Sequence, residues 1–331
     1  MRLSVLDSLE IPQGGSSADG LGNAIALARF ADELGLTRYW ITEHHGFGHE
    51  LCPSPEVLVG ALAGATTRIR VGAGGMLVNR HNPYCIAQAF RTLEALHPGR
   101  IDLGLGRSAP GINAEAVFQR NAEGPEDHAQ RVEEILRWLS HEIAEDGPLA
   151  GMRIMPDLPP GPAPWLLAAS VGTAELAARL GAALACSGFH KPEITPDIAA
   201  AYTRAFHPSS YAATGPASAC LIAVIAIAAE TTEEAERLAM PVRMAMDVRM
   251  KQGAPLRQTP SIDEAVAYFG GIVPAEQGDW PSRVIGSYDE VAERIRRMGA
   301  RTGVSEVMIR PFTAELSARM AMYRNLAARL G

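Results

Sequence analysis

The sequence predicts an α/β protein of the (β/α)8 barrel class, a TIM barrel with loop insertions, and three observations carry that expectation. Short apolar runs recur along the chain, each followed by a longer stretch with helical spacing, as in a parallel sheet covered by helices. Eight such units spread over 331 residues, a length that suits one barrel with insertions. The first run is not followed by G-x-G-x-x-G, which weighs against an open dinucleotide-binding sheet.

Taken in order, strands are expected at residues 3–6, 38–43, 69–74, 101–106, 165–169, 183–186, 219–228 and 306–310. Helices fit between them. Residues 23–34 place Ile25, Leu27, Ala28, Ala31 and Leu34 largely on one stripe, with Gly35 as the cap. Residues 55–66 begin after Ser54, with Pro55 at the first helical position. Helices at 83–96, 126–143, 173–180 and 288–298 follow the same logic. Another opens at Thr232, with Glu234 and Glu236 at its positive end. Two stretches read as insertions into one domain spanning 1–331: 147–164, rich in Pro and Gly, and 251–281, polar and interrupted by prolines.

Composition narrows the function classes. The chain is 47% hydrophobic and 20% charged, ordinary for a globular core, and its net charge of −7 comes without a basic run, which argues against nucleic acid. The four cysteines are scattered with no C-x-x-C pair and read as reduced thiols. Residues 220–229 are the most apolar stretch, about half a bilayer span, so a buried strand is expected and no membrane association. With no signal-peptide pattern at Met1-Arg2-Leu3, the expected location is the cytoplasm.

In such a barrel catalytic groups sit on the loops after the strands, so the strand ends are where to search. Strand two ends in Glu43-His44-His45, an acid–base triplet suited to proton transfer near neutral pH. Metal ligation is the rival reading. Adjacent residues of an extended segment point apart, however, so His44 and His45 would not readily share an ion, even with His49 or His81 nearby. No metal is expected, although a histidine at a strand end often only bonds a loop. Strand three ends in Gly72-Ala73-Gly74-Gly75, which either admits a flat ligand to the backbone or makes a tight turn. Strand four ends in Gly106-Arg107-Ser108, and strand five in Ala169-Ser170-Val171-Gly172-Thr173 before a helix. Arg107 and that helix start can clamp a phosphate, while Ser170 or Thr173 can equally be a plain N-cap.

These residues also carry a family resemblance. Arg38-Tyr39-Trp40-Ile41-Thr42-Glu43-His44-His45 resembles the second-strand motif of the bacterial luciferase-like flavin monooxygenases. So do Thr67-Arg68-Ile69-Arg70-Val71-Gly72, Phe90-Arg91-Thr92-Leu93, the run from His97 to Arg107, and Gly286-Ser287-Tyr288-Asp289-Glu290-Val291. The resemblance covers nearly the whole chain outside the insertions. It implies a TIM barrel that uses reduced FMN, supplied by a separate NAD(P)H:flavin reductase, and O₂ to oxygenate a small organic substrate through a C4a-(hydro)peroxyflavin. Family members are often homodimers. On this resemblance His44 is the catalytic histidine, tuned by His45 or Glu43; Gly74-Gly75 lies where luciferases have a non-prolyl cis peptide under the flavin; Arg107, Ser170 and Thr173 bind phosphate. Gly106 stands beside the flavin where luciferases have a reactive cysteine, Asn79 and Asn82 replace a Pro and a His, and Ala169 replaces an acidic residue. The flavin frame is therefore kept while the substrate wall has changed, with Tyr84, Phe47 and the 251–281 insertion as candidates for wall and lid. An F420-dependent dehydrogenase and a non-catalytic flavin-binding protein are the alternatives, and the arginine-rich composition suits a tailoring enzyme of antibiotic or other secondary-metabolite biosynthesis.

Overall fold

A computed structural model describes residues 1–331 apart from 46, 47, 49, 52, 53, 108–124, 144, 145, 160, 163, 210–218, 254 and 255. Its strands are β1 (Arg2–Asp7), β2 (Arg38–Ile41), β3 (Arg70–Leu77), β4 (Ile101–Gly106), β5 (Pro164–Ala168), β6 (Ala183–Ser187), β7 (Cys220–Ala229), β8 (Arg283–Ser287) and β9 (Glu306–Pro311). The helices are α1 (Ser17–Glu33), α2 (Pro55–Ala65), α3 (Pro83–Leu96), α4 (Pro125–Ser140), α5 (Val171–Leu180), α6 (Thr195–Ala205), α7 (Thr232–Gln252), α8 (Ile262–Phe269), α9 (Tyr288–Thr302) and α10 (Leu316–Leu330).

Eight strands close a ring in the order β1-β2-β3-β4-β5-β6-β7-β9, every pairing parallel. A closed parallel ring leaves no edge and puts all strand C-termini on one face. β7 shows why the strand signals are strong: CLIAVIAIAA is buried along almost its whole length, because helices cover the outside and side chains fill the inside. β8 adds to the upper half of β7, residues 225–229, and lies outside the ring.

The ring is filled from its N-terminal end. Arg38 on β2 donates to Asp102 on β4 (2.7 Å) and to Glu306 on β9 (2.8 Å), and Ser4 on β1 also donates to Glu306 (2.8 Å). Trp40 Nε1 donates to Asp102 (2.9 Å), and the Trp40 ring meets Trp165 edge-on at 5.4 Å. Burying these charges is tolerable because each is paired and hydrogen-bonded.

Two buried side chains, Asp32 and Arg91, fasten turns. The Asp32 carboxylate accepts from the backbone N–H groups of Thr67, Arg68 and Ile69 (2.7–3.0 Å), pinning the entry to β3. Arg91 is 2% exposed and donates to the carbonyls of Leu139, Ile154, Met155, Leu158 and Pro159. It thereby ties the first insertion to α3.

The structure departs from the sequence expectations at several elements. β8 has no counterpart there: it is five residues long and starts with Arg283, so it presents only a brief apolar signal. The last expected strand, 306–310, is consequently the ninth. β3 continues to Leu77, three residues beyond its expected end at 74. α6 and α10 were not expected either; α6 has prolines at its entry, and the N-cap of α10, Glu315, makes no side-chain cap bond. The second insertion contains the last turn of α7 and all of α8, whose capping box (Ser261 with Glu264) is a helix-start signal inside that polar stretch.

Arg91→Met leaves five carbonyls without this donor, those of Leu139 and Ile154 in buried bonds, and is expected to cost roughly 2–4 kcal/mol of stability. A lowered urea midpoint checks it, and an unchanged midpoint would show that the insertion holds without Arg91.

Candidate active site

Above the Arg38 layer the ring is not filled. A cavity of about 850 Å³ opens at the C-terminal ends of the strands, with Leu6, Trp40, Leu167 and Met308 among its apolar lining. Glu43, His44, Gly74, Gly75, Gly106, Arg107, Ser170 and Thr173 all line it. His45 does not; it stands behind Glu43.

Glu43 leaves β2 with its side chain fully buried and accepts three hydrogen bonds. They come from His45 Nε2 (2.9 Å), His81 Nε2 (2.7 Å) and the Leu77 backbone N–H (2.7 Å). Burial disfavours its charge, but these donors outweigh burial and hold the carboxyl at about 2. The same bond raises His81 above its ordinary value, against the effect of burial.

His44 goes to a different carboxylate. Its Nδ1 donates to Glu50 Oε2 at 2.5 Å, and Glu50 Oε1 accepts from Arg310 Nη2 at 2.6 Å. A carboxylate only accepts, so Nδ1 carries the proton and the proton chemistry of the ring falls to Nε2. Glu50 reaches this position because its loop folds back onto β1. Glu10 and Glu50 form an antiparallel bridge, with Leu51 N donating to Leu9 O at 2.8 Å. Arg319 on α10 fixes the other side of that bridge, donating to Glu10 (2.6 Å) and Asp7 (3.1 Å). The two histidines thus serve separate carboxylates, which is the geometry expected from their opposite directions on an extended segment.

The glycines answer mainly to packing. A Cβ on Gly75 would lie 2.7 Å from Gly104 O, and one on Gly74 would lie 2.8 Å from the Trp40 ring. The Gly74–Gly75 peptide is cis. Gly106 differs, because a Cβ there would meet nothing closer than 3.7 Å and the cavity has room for it. At the β5 end, Ser170 is the N-cap of α5, accepting from Thr173 N (3.3 Å), and its hydroxyl lies 3.1 Å from that of Thr173. The cap role and the cavity-lining role coincide in one residue.

Sequence reasoning missed Glu50, Arg310 and His190. Arg310 lies at the C-terminal end of β9 and His190 three residues after β6, so the strand-end rule applied there would have found them. His190 accepts or donates at Nδ1 to Ser187 Oγ (2.6 Å) and is held below its usual range by burial, then by Arg310 and His44. Glu50 has no sequence signal, since its place depends on the loop bridge. Tyr84 is no part of the cavity: its ring packs edge-on against Trp138 at 4.9 Å. Phe47, His49 and Ser108 lie outside the described residues. No described residue of 251–281 lines the cavity, but Trp280 Nε1 donates to Gly188 O (3.2 Å), bracing the loop that carries His190. Asn82 caps α3, accepting from Tyr84 N (2.9 Å), and Asn79 lines the cavity. No helix among the described residues is long and apolar enough to cross a membrane.

Residues 1–306 match the family model described as luciferase-like monooxygenase. The chain is 34% identical to YwcH of Bacillus subtilis over 98% of this chain and 97% of that protein. It is 30% identical to the N-acetyl-S-alkylcysteine monooxygenase of Bacillus subtilis, over 93% and 92%. Among solved structures, apo-MsnO8 superposes with a TM-score of 0.87 at 35% identity, covering 99% of this chain and 98% of that one.

Because Glu43 binds its proton less tightly folded than unfolded, it stabilises the fold above its unfolded value of 4.5, and that contribution is lost as pH falls through about 2. Between pH 5 and 2 the unfolding free energy should therefore drop more steeply than in Glu43→Gln, by on the order of 3 kcal/mol. Parallel pH profiles for the two proteins would refute this assignment.

Proposed function

Since the chain belongs to the luciferase-like monooxygenase family, we propose that this cavity binds FMN and that the reduced form is used with O₂ to oxygenate a small organic substrate. The observation that carries the reading is one cavity that joins an anion cradle to an oriented histidine.

The residues suit the cofactor. A volume of about 850 Å³ is in the range of cofactor and ligand pockets. Arg107, the Ser170 and Thr173 hydroxyls, and the positive end of α5 would hold a phosphate. The Gly74–Gly75 backbone leaves one wall bare of side chains, fit for a flat ring. Bound in reduced form, FMN supplies the electrons that activate O₂. Arg107 is exposed at the mouth, which suits a flavin that arrives from a separate NAD(P)H-dependent reductase and leaves again.

The chain's own groups do the rest. Leu6, Trp40 and Met308 exclude water from the floor, limiting wasteful release of peroxide. Glu50 holds the His44 ring in one tautomer, and Arg310 holds Glu50. His44 Nε2 then gives or takes the proton that oxygen transfer requires. Glu43 keeps its charge at neutral pH and anchors His45 and His81 around the same strand end.

The test is rapid mixing of protein-bound reduced FMN with oxygenated buffer. Reoxidation should be slowed about tenfold or more relative to free reduced FMN. An unchanged rate would defeat the proposal. His44→Ala should keep FMN affinity within about threefold and lose about 100-fold in oxygenation, with Glu50→Gln falling between. Full turnover in His44→Ala would remove the role given to that residue.

A further inference from the structure

Charge is unevenly distributed around the cavity. Its lining includes Arg80, Arg107, Lys191 and Arg310 against one carboxylate, Glu43, which is already committed to His45 and His81. Arg107 follows β4. Arg310, on β9, stands four strands away in the ring of eight, the greatest separation the ring allows. A single phosphate held near Arg107 therefore leaves the far wall unanswered.

That far wall has its own construction. His190 and Lys191 come off β6 and Arg310 off β9, and between them β7 contributes only the small side chain of Ala223. Lys191 is exposed and has no side-chain partner among the described residues. Arg310 commits Nη2 to Glu50. Arg249, on α7, is held below its ordinary value by burial, with the Glu50 carboxylate raising it and Arg310's like charge lowering it. The depressed pKa of His190, caused by burial and then by Arg310 and His44, reports the same positive field. Arg310 is partly buried and shares its carboxylate, Glu50, with His44, so a further anion from a ligand is favourable beside it. Arg and Lys donors lining one cavity can both donate to a carboxylate.

We propose that the wall formed by Lys191 and Arg310 binds a carboxylate on the substrate, so that the molecule oxygenated is an organic acid. This rests on the reading above, in which the flavin phosphate takes the opposite, Arg107, side. The acid end is anchored at β6 and β9, and the remainder of the molecule extends towards His44.

A panel of carboxylates (hexanoate, benzoate, phenylacetate) and their methyl esters, titrated by calorimetry into the protein with and without saturating oxidised FMN, tests it. The acids should bind about tenfold or more tightly than their esters, the scale of charge-assisted hydrogen bonds. Lys191→Met, at an exposed position, should weaken the acids about tenfold while leaving FMN and ester affinities unchanged. Equal binding of acids and esters overturns the proposal. So does a Lys191→Met variant that weakens FMN as much as the acids, since the wall would then belong to the cofactor. If the acid preference persists although FMN does not bind, the anion wall stands and the flavin reading falls.

Discussion

The site exists because the barrel is filled from one end only. Arg38, bonded to Asp102 and Glu306 and roofed by Trp40 and Trp165, occupies the N-terminal half of the interior. The residues that follow on the same strands are small or absent as side chains: Gly74 and Gly75 on β3, Gly104 and Gly106 on β4, Ala223 on β7. Large side chains there would fill the ring, as in the layered interior usual for this fold. Their absence converts the upper half into a cavity whose floor is rigid and whose rim carries ionisable groups.

The rim depends on a division of labour between two carboxylates. Glu43 gathers His45, His81 and the Leu77 amide, fixing the exits of β2 and β3 relative to each other. Glu50 takes His44 and passes its other oxygen to Arg310. The second arrangement is the more fragile, because Glu50 lies on a loop. Its position is secured through the Glu10 bridge and Arg319, a buried path running from α10 to the catalytic candidate. Groups held this way cost little reorganisation during proton transfer.

Much of this was legible in the sequence, for physical reasons. Parallel strands covered on both faces read as unbroken apolar runs, so the ring could be read directly and its C-terminal face could be searched. The triplet at 43–45, Arg107, and the Ser170–Thr173 segment were visible because they sit immediately after strands. β8 was not, being short and opened by an arginine. Glu50 was invisible because a bridge between two loops places it. The glycines were misread in part: proximity of β4 and of Trp40, as much as any ligand, excludes a Cβ at Gly75 and Gly74. Tyr84, a candidate for the substrate wall, instead packs between helices against Trp138.

The most direct test of the central claim is a paired titration of FMN and riboflavin, which differ only by the phosphate. The cradle of Arg107 with the α5 N-terminus predicts FMN binding about tenfold or more tighter than riboflavin, with the difference removed in Arg107→Leu. Equal affinity for the two flavins, or binding of neither, would contradict the account.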